Sequence, residues 1–506
     1  MTLLLVLLGV SVAVEVLLFG IRPIWAHLPT RRVLSGISVL LISFASAGLI
    51  MLHPSVFTGL LFAVSAYRII NLLRMAKARM HEAYLYRTTR KTGLWLGGGQ
   101  AALFAAWAYS ELWSVPAMFW VGLVVFMQTS AATVLLLSTI RRLRHTRLAP
   151  VTSSTVSEHL PTLTVAIPAR NETDELEECL RSIVHSDYPK LEIIVLDDCS
   201  QTKRTPAILR DFAHAGVRFL QGEPPREGWL AKNQAYDQLA KAANGELILF
   251  CGVDIRFEPH GLRELVNTLQ HKNKRMMCYL PMRKVHERPQ FALMQAVRYM
   301  WELSPPRKLF RRPPVLSSCW MIFRQDLHKF GGFSAVSRAI VPEAHFARQA
   351  IKSSDGYGFA RAGVHHGVTS TKSLAAQRQT AIRTRYPSLH RRPEMVAIIT
   401  ASELGILLGS FVLSMLGMLG LVPAWVTLIA GLSALCFVIT YSLVAIATRT
   451  NSWFFAPLLA PLSVVTDVVL MHRSMWQYEF SEVVWKGRNV CLPVMHVYAK
   501  LPETDS

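Results

Sequence analysis

Charged residues are scarce in this 506-residue chain, at 17% of the sequence, whereas hydrophobic residues make up 51%. The apolar residues come in long blocks, which indicate membrane spans. Acidic residues are the rarer charged class, 33 against 54 lysines and arginines, so the net charge is +21. The basic residues cluster beside apolar segments, as at 74–91 and 141–145. This pattern favours membrane flanks and anionic lipid headgroups over nucleic acid as partners.

Cysteine is also sparse and scattered. The seven cysteines are odd in number and form no Cys-x-x-Cys pair, so neither a disulfide framework nor a zinc site is indicated. A reducing compartment fits this usage. The N-terminus lacks a basic start and a clear small-residue cleavage site, so we predict a retained first span rather than a signal peptide.

Five apolar stretches precede the polar part of the chain, each close to the ~20 residues that cross a bilayer. They lie at about 2–22, 33–53, 56–74, 94–112 and 116–139. The basic loops predict an N-terminus outside and a polar domain in the cytoplasm. Two further spans are predicted near 396–419 and 423–447, and 453–471 contains two prolines and Asp467. That last stretch could be a third late span, but we expect a broken helix at the membrane interface, which keeps the tail on the cytoplasmic face.

The period of the hydrophobic pattern changes at about residue 162. From there to 254, short apolar strands alternate with helical segments, which predicts a mostly parallel, doubly wound sheet. The predicted organisation is an N-terminal transmembrane region, a linker, an α/β domain, C-terminal transmembrane or interfacial helices, and a cytoplasmic tail. These units occupy 1–140, 141–161, 162–392, 393–475 and 476–506.

Polar residues follow several predicted strands, at the sheet edge where such folds bind ligands. Asp197 and Asp198 end the run LEIIVLDD and suit nucleotide hydroxyls or a divalent metal, although two acids often mark a turn. Asp254 ends ELILFCGVD and could ligate a divalent cation or cap a helix. Lys232 in GWLAKN could neutralise a diphosphate or lie on a helix surface.

Later segments supply candidates for catalysis and for the acceptor. Glu343 in PEAHFARQA could be a general base or a helix-dipole partner, and His345 is the alternative base. Gly331 and Gly332 permit close approach of a ligand, or simply a turn. The segments RTRY at 383–386 and WKGR at 485–488 could bind phosphates or anchor the chain at the membrane interface.

The order and spacing of these elements resemble the family 2 inverting glycosyltransferases with a GT-A fold. The resemblance rests on PARNE, the Asp pair, GW-x-x-KN, the strand-end Asp, GGF and the later acid, over about 160–390 plus the tail. GW-x-x-KN, PL-x4-D at 461–467 and WKGR are most similar to the glycolipid-forming branch. That branch includes ceramide glucosyltransferases and bacterial carotenoid or hopanoid glycosyltransferases.

The resemblance implies a role for each matching residue. Nucleotide contacts are implied for Ala169, Arg170, Glu172, Asp197 and Asp198; donor phosphate contacts for Lys232, Arg385, Tyr386, Trp485 and Arg488. Asp254 matches the metal-binding acid, which implies Mg²⁺ or Mn²⁺, and Glu343 matches the catalytic base. Gly331, Gly332 and Trp320 are assigned to the acceptor.

The chain also departs from the family pattern. Gly252 replaces the first acid of Asp-x-Asp, and Ile382 and Tyr386 replace the Gln and Trp of Gln-x-x-Arg-Trp. We predict inverting transfer of sugar from a nucleotide sugar, of which UDP-sugars fit best, to a lipid acceptor. The predicted setting is the bacterial inner membrane, in cell-envelope synthesis, with the catalytic domain in an α/β GT-A fold between transmembrane helices.

Two alternatives remain open. One is a processive polysaccharide synthase, against which the incomplete Gln-x-x-Arg-Trp element counts. The other is a catalytically degenerate membrane protein that only binds a nucleotide sugar or lipid, and the acid missing at Gly252 favours it.

Overall fold

The structure is a computed structural model that describes most of the chain. It describes residues 4, 7–8, 10–11, 14, 28–77, 97–107, 109, 117–148, 160–284, 296–304, 313–353, 356–363, 366–449 and 453–490. Most of the predicted first span, the basic loop after residue 77 and most of the linker lie outside these residues. The chain forms two compact units. The first comprises Met1–Thr129, Arg385–Gly431 and Val468–Glu482, and the second Ser130–Thr384, Leu432–Asp467 and Val483–Ser506.

A seven-stranded sheet organises the second unit, in the order β3-β2-β1-β4-β8-β6-β9. The pairings are parallel except at β8, which is antiparallel to both of its neighbours. The prediction of a mostly parallel sheet is therefore confirmed. The strands are β1 Leu163–Ala169, β2 Leu191–Asp197, β3 Val217–Gln221, β4 Leu247–Cys251, β6 Met276–Leu280, β8 Cys319–Phe323 and β9 Tyr357–Arg361.

Continuous apolar runs explain why the central strands lie inside the sheet. All five residues of β4 are buried, as are six of the seven residues of β1, because helices cover both faces of such sheets. Helices of the second unit include Asp174–Val184, Arg204–Asp211, Ala231–Ala242, Gly261–His271, Ala296–Leu303, Arg324–Lys329 and Glu343–Lys352, and helix Leu374–Ser388 belongs to this unit as far as Thr384. Asp174–Val184 buries Leu176, Cys179, Leu180 and Ile183, a helical spacing that places one apolar stripe on the core.

Two small sheets accompany the main one. A three-stranded sheet pairs β5 Ile255–Phe257, β10 Val368–Ser370 and β7 Met282–Arg283. A hairpin near the C-terminus pairs β11 Val484–Trp485 with β12 Arg488–Asn489. Its two turn residues, Lys486 and Gly487, have φ of 48° and 78°. Positive φ at both positions is the type I′ geometry that matches the twist of paired strands. The WKGR motif is therefore a β-hairpin, which we call the tail hairpin.

Five helices of the described residues are long and apolar enough to cross a membrane, two before the sheet and three after it. They are Val33–Leu52, Met118–His145, Pro393–Met418, Ala424–Thr448 and Ala456–Phe480. Helix Val56–Lys77 contains a shorter apolar stretch, Val56–Ile69. The expected break near 453–471 is wrong, because Ala456–Phe480 is one uninterrupted helix that includes Pro461.

Candidate active site

The second unit contains a cavity of about 710 Å³ at the C-terminal ends of β1 and β4. This volume is within the range of small-molecule sites. Five predicted site residues lie on its wall: Glu172, Lys232, Asp254, Trp485 and Arg488. Cations outnumber acids on the wall, which suits an anionic ligand. The cations are Lys232, Arg283, Lys372, Arg383, Lys486 and Arg488; the acids are Glu172, Glu175 and Asp254.

Lys232 reaches the cavity from the first turn of helix Ala231–Ala242. Its ammonium lies 5.1 Å from the ring centre of Tyr236. Burial lowers the pKa of Lys232, Glu343 opposes this effect, and Arg383 adds to it. A buried cation at a helix N-terminus provides two attractions for a phosphate, the charge and the backbone N–H groups.

Asn233, next in the chain, fixes the loop before Glu343. Its amide nitrogen donates to the carbonyls of Val336, Ser337 and Ala339 at 2.8, 3.0 and 2.8 Å. The backbone N–H of Leu230 donates to the same Ser337 carbonyl at 2.9 Å. The Lys-Asn pair therefore couples a cavity cation to the segment that leads into helix Glu343–Lys352.

Asp254 is the acid on the wall that follows β4. Ser370 Oγ donates to its Oδ2 at 2.9 Å. Burial by itself would raise the pKa of Asp254, but Lys372, the Ser370 hydrogen bond and Arg283 together lower it below its ordinary value. The carboxylate is therefore ionised and next to cations.

A divalent metal fits this part of the cavity only in part. Among the described residues, no group of three His, Cys, Asp or Glu is placed to hold a metal ion. A Cβ at Gly252 would lie 2.7 Å from Asp254 Oδ1, which is where a second acid of Asp-x-Asp would begin. One carboxylate remains, and Mg²⁺ is often bound by one or two carboxylates together with substrate phosphates. The residues fit a metal that is held jointly with a diphosphate.

Glu343 begins its helix and is completely buried, so it is not on the cavity wall. Its Oε1 accepts a short hydrogen bond from Ser317 Oγ, and Ser317 does lie on the wall. Its Oε2 has no hydrogen-bond partner among the described residues. The predicted base is therefore separated from the cavity by a serine.

The predicted acid pair divides into two roles. Asp197 Oδ1 accepts hydrogen bonds from the N–H of Ser200 at 3.0 Å and from the Ser200 hydroxyl, which forms a turn. Asp198 donates its N–H to the Ala169 carbonyl at 2.8 Å and accepts from Arg488 Nη1 at 2.5 Å. Neither Asp nor Ala169 is on the wall. The pair supports elements that line the cavity.

The tail hairpin binds the ends of β1 and β2. Lys486 Nζ donates to Glu172 Oε1 and, at 2.8 Å, to the Arg170 carbonyl. Arg170 Nε donates to the Lys486 carbonyl at 3.1 Å, and Arg170 Nη1 donates to the Asp198 carbonyl at 2.6 Å. Burial raises the pKa of both Glu172 and Asp198, and the hairpin cations Lys486 and Arg488 partly offset this. Each acid is thus paired with a tail cation.

The three residues assigned to the acceptor are away from the cavity wall. Trp320 is fully buried and stacks on Phe250 with ring centres 4.5 Å apart. Gly331 and Gly332, at φ of 91° and 59°, end helix Arg324–Lys329 by donating to the carbonyls of His328 and Leu327. This turn places Phe333 in the same aromatic core, so these residues contribute packing.

His345 and the RTRY segment are also placed elsewhere than expected. His345 Nε2 is 3.3 Å from the Phe330 carbonyl and is not on the wall. Arg385 and Tyr386 belong to the first unit, where Tyr386 is buried and its N–H donates to Ser474 Oγ at 3.0 Å. On the cavity wall of the second unit, the segment contributes Arg383 and Thr384.

Several wall residues have no counterpart among the predicted site residues. Arg383 lies over the ring of Trp485 at 5.0 Å, and Trp229 of GWLAKN also lines the cavity. Arg283 stacks on Tyr299 at 4.9 Å. Arg283 is the last residue of β7 and Lys372 follows β10, so the strand-end position that indicated Asp254 could also have indicated them.

Residues 164–331 match the family model described as Glycosyl transferase family 2. Among curated proteins, the "Probable glycosyltransferase YdaM" of Bacillus subtilis is 26% identical over 185 residues, 35% of this chain and 44% of the relative. A ceramide glucosyltransferase of Komagataella phaffii is 31% identical over 85 residues, 16% of each chain. The chain thus spans less than half the length of these relatives.

Among solved structures, the mannosyltransferase PcManGT from Pyrobaculum calidifontis, in complex with GDP-Man and Mn²⁺, aligns with a TM-score of 0.42. The identity is 18%, and the alignment covers 68% of this chain and 99% of that chain. The family match gives the class: residues 164–331 of the second unit match a glycosyl transferase family 2 domain, this unit has a mostly parallel sheet, and apolar helices flank the domain along the chain.

Proposed function

We propose that this protein transfers a sugar, with inversion, from a nucleoside diphosphate sugar to a lipid acceptor at the cytoplasmic face of a bacterial inner membrane. The observation that carries the proposal is the cationic cavity at the strand ends of the family 2 domain. A diphosphate is the anionic part of such a donor, and UDP-sugars remain the donors that we expect.

On the donor side, Lys232 and Arg383 are the cations best placed for the diphosphate. Lys232 adds a helix N-terminus, and Arg383 is held over Trp485 at 5.0 Å. Charge that develops on the leaving diphosphate is stabilised by fixed cations, which in a partly desolvated site is often the largest contribution to rate. Trp229 and Trp485 supply flat apolar faces on the same wall, which suit a base or a sugar ring.

A Mg²⁺ or Mn²⁺ ion would be held by Asp254 together with the donor diphosphate. When bound, it would neutralise part of the diphosphate charge. The residues of the chain bind and orient the donor around it: Ser370 fixes the Asp254 carboxylate at 2.9 Å, and Lys372 and Arg283 keep that carboxylate ionised.

The lipid acceptor and the location are supported by composition. Three apolar helices follow the sheet within the described residues, and basic clusters flank the apolar segments. An acceptor held in the bilayer would reach the cavity from the membrane surface. The basic flanks favour the cytoplasmic side for the domain.

The deciding experiment incubates the full-length protein, in nanodiscs, with a panel of nucleotide sugars and a bacterial lipid extract. We expect one donor to yield a glycolipid that is detected by mass. A parallel titration of Mn²⁺ should show binding only when UDP is present, and Asp254→Asn should abolish it. A ladder of products would instead indicate a polysaccharide synthase. Nucleotide binding without transfer for any donor would overturn the proposed enzyme and favour a binding protein.

A further inference from the structure

Glu343, the predicted base, does not meet the cavity directly. It is completely buried, with its Oε1 bonded to Ser317 Oγ. Ser317 is partly exposed and lies on the cavity wall. A base must be within hydrogen-bond reach of the proton it removes, directly or through one intervening group. In this site the intervening group is the serine hydroxyl.

The turn that presents Ser317 is fixed at two points. The buried residues Val315 and Leu316 precede it, and β8 follows immediately at Cys319. The Ser318 carbonyl accepts the N–H of Gly252 at 3.0 Å, which fixes the turn beside the segment that carries Asp254. The serine turn is therefore bonded on one side to the segment that carries Asp254 and on the other to the buried base.

Glu343 is also held in place. Its helix begins at this residue, so the carboxylate benefits from the positive end of the helix dipole. The Asn233 amide fixes the loop at 336–339 that leads to it. Lys232 is close enough for an electrostatic attraction. These contacts make a large movement of Glu343 into the cavity costly.

We propose that Ser317 is the residue that contacts the acceptor, and that it relays the acceptor's proton to Glu343. As the acceptor oxygen bonds to the anomeric carbon, its O–H bond breaks and the proton passes to Ser317 Oγ. The proton of Ser317 passes to Glu343 Oε1, and the bond from sugar to diphosphate breaks with its electron pair on the diphosphate. Serine ends unchanged, and Glu343 ends protonated. This step rests on the proposed function.

The relay also specifies the chemical class of the acceptor. Because the Ser317 proton is donated to Glu343, the serine oxygen faces the cavity as a hydrogen-bond acceptor. It pairs with a group that carries a proton, such as a lipid hydroxyl. An ionised lipid phosphate carries no proton for the relay. The nucleophile is therefore a hydroxyl of the lipid.

The test compares Ser317→Ala, Ser317→Thr and Glu343→Gln in the full-length protein, with UDP affinity and glycolipid formation as separate readouts. Ser317→Ala should slow transfer by on the order of 10² or more, as expected for lost proton transfer, with UDP affinity unchanged. Ser317→Thr keeps a hydroxyl and should retain most activity. In a relay the two residues act in series. The double variant Ser317→Ala/Glu343→Gln should therefore transfer sugar little more slowly than Glu343→Gln alone. Ser334→Ala, an exposed serine away from the wall, is the matched control.

UDP affinity also reports folding. If Ser317→Ala does not bind UDP, Ser317→Cys takes its place in the test. Its sugar transfer should be slowed by the same factor, because a thiol fills the site but donates weakly. Near-wild-type transfer by Ser317→Ala, or losses that multiply in the double variant, would overturn the relay while the proposed function stands. Transfer of sugar to a lipid phosphate as fast as the wild-type transfer to a lipid hydroxyl would also overturn the relay. A wild-type protein that binds UDP but transfers no sugar would overturn the proposed function and the relay together.

Discussion

Lys232 and Asn233 are adjacent residues with different contributions to the site. The lysine lies on the cavity wall, whereas the asparagine amide donates to three carbonyls of the loop before Glu343. One motif thus places a cation on the cavity wall and fixes the segment that carries the proposed base. Sequence spacing indicated the lysine, because a cation at a helix N-terminus suits phosphate, but it gave no sign of the asparagine's partners about a hundred residues away.

Lys232 should make donor binding sensitive to alkaline pH. Burial lowers its pKa below the ordinary lysine value of 10.5, and only the protonated form attracts a diphosphate. UDP affinity should therefore fall as pH rises through this lowered pKa, earlier than for an exposed lysine. Lys232→Arg should remove the alkaline loss, because arginine stays charged. Calorimetric titration of UDP against pH measures this.

Lys241→Met is the matched control, since Lys241 lies on the same helix but pairs with Asp237 at 2.7 Å on the exposed side. Its UDP affinity should follow the wild-type profile. A Lys232→Met variant with unchanged affinity at neutral pH would show that this lysine does not bind the diphosphate.

The choice between Arg383 and Arg385 shows what spacing leaves undecided. Two residues apart on a helix, these side chains are related by a rotation of about 200° and point to nearly opposite sides of it. The sequence placed a guanidinium near the phosphates but could not give the rotation of helix Leu374–Ser388. The structure places Arg383 on the wall of the second unit. Trp320 illustrates a similar ambiguity, since a tryptophan packed in the core and a tryptophan that contacts a ligand look the same in the sequence.

The tail hairpin is the element whose role changes most between sequence and structure. The sequence predicted that Trp485 and Arg488 bind the donor directly. Both line the cavity, but Lys486 and Arg488 also pair with Glu172 and Asp198, and the type I′ turn at Lys486-Gly487 fixes their positions. We infer that these two acids act mainly by holding the hairpin over the donor end of the cavity.

A charge exchange tests this role of the hairpin. Lys486→Glu places a like charge beside the buried Glu172, so it should release the hairpin and weaken UDP binding by about tenfold or more, as for a broken buried pair. Adding Glu172→Lys restores opposite charges and should recover most of the affinity. Binding by the single and double variants, analysed as a double-mutant cycle, gives the coupling.

Lys203→Glu, the same charge change at an exposed position, should leave UDP affinity unaltered. If the exchanged pair binds UDP no better than Lys486→Glu alone, Glu172 contacts the donor itself and the inferred role of the hairpin is wrong.

For the molecule as a whole, the hairpin limits how the chain can cross a membrane. The hairpin and its partners Glu172 and Asp198 belong to one compact unit, so they lie on the same side. Two candidate membrane crossings follow the domain, Pro393–Met418 and Ala424–Thr448, and together they return the chain to that side. A third complete crossing by Ala456–Phe480 would place the hairpin on the opposite side. That helix also has the lowest hydropathy of the five, 1.2 against 1.9 to 2.2.

We therefore predict that a reporter fused after the last residue reads cytoplasmic, on the same side as a reporter inserted between residues 285 and 295. Ala456–Phe480 then rests at the interface as a continuous helix rather than the broken one expected from its prolines. Alkaline phosphatase and green fluorescent protein fusions at both sites measure this. An extracytoplasmic C-terminus would contradict the count of two crossings after the domain and the contacts of the tail hairpin.

The sequence by itself determined the alternation of strands and helices, the apolar helices on both sides of the domain, and the strand-end positions of Asp198 and Asp254. Local periodicity encodes these features, because each depends on residues only a few positions apart. Only the tertiary structure decided that Glu343 lies behind Ser317, that the Asp197–Asp198 pair supports the cavity from outside its wall, and that Arg383 lines it. Those facts depend on helix rotation and on contacts between residues 26 positions apart, as for Ser317 and Glu343, to 290 positions apart, as for Asp198 and Arg488, which no local pattern records.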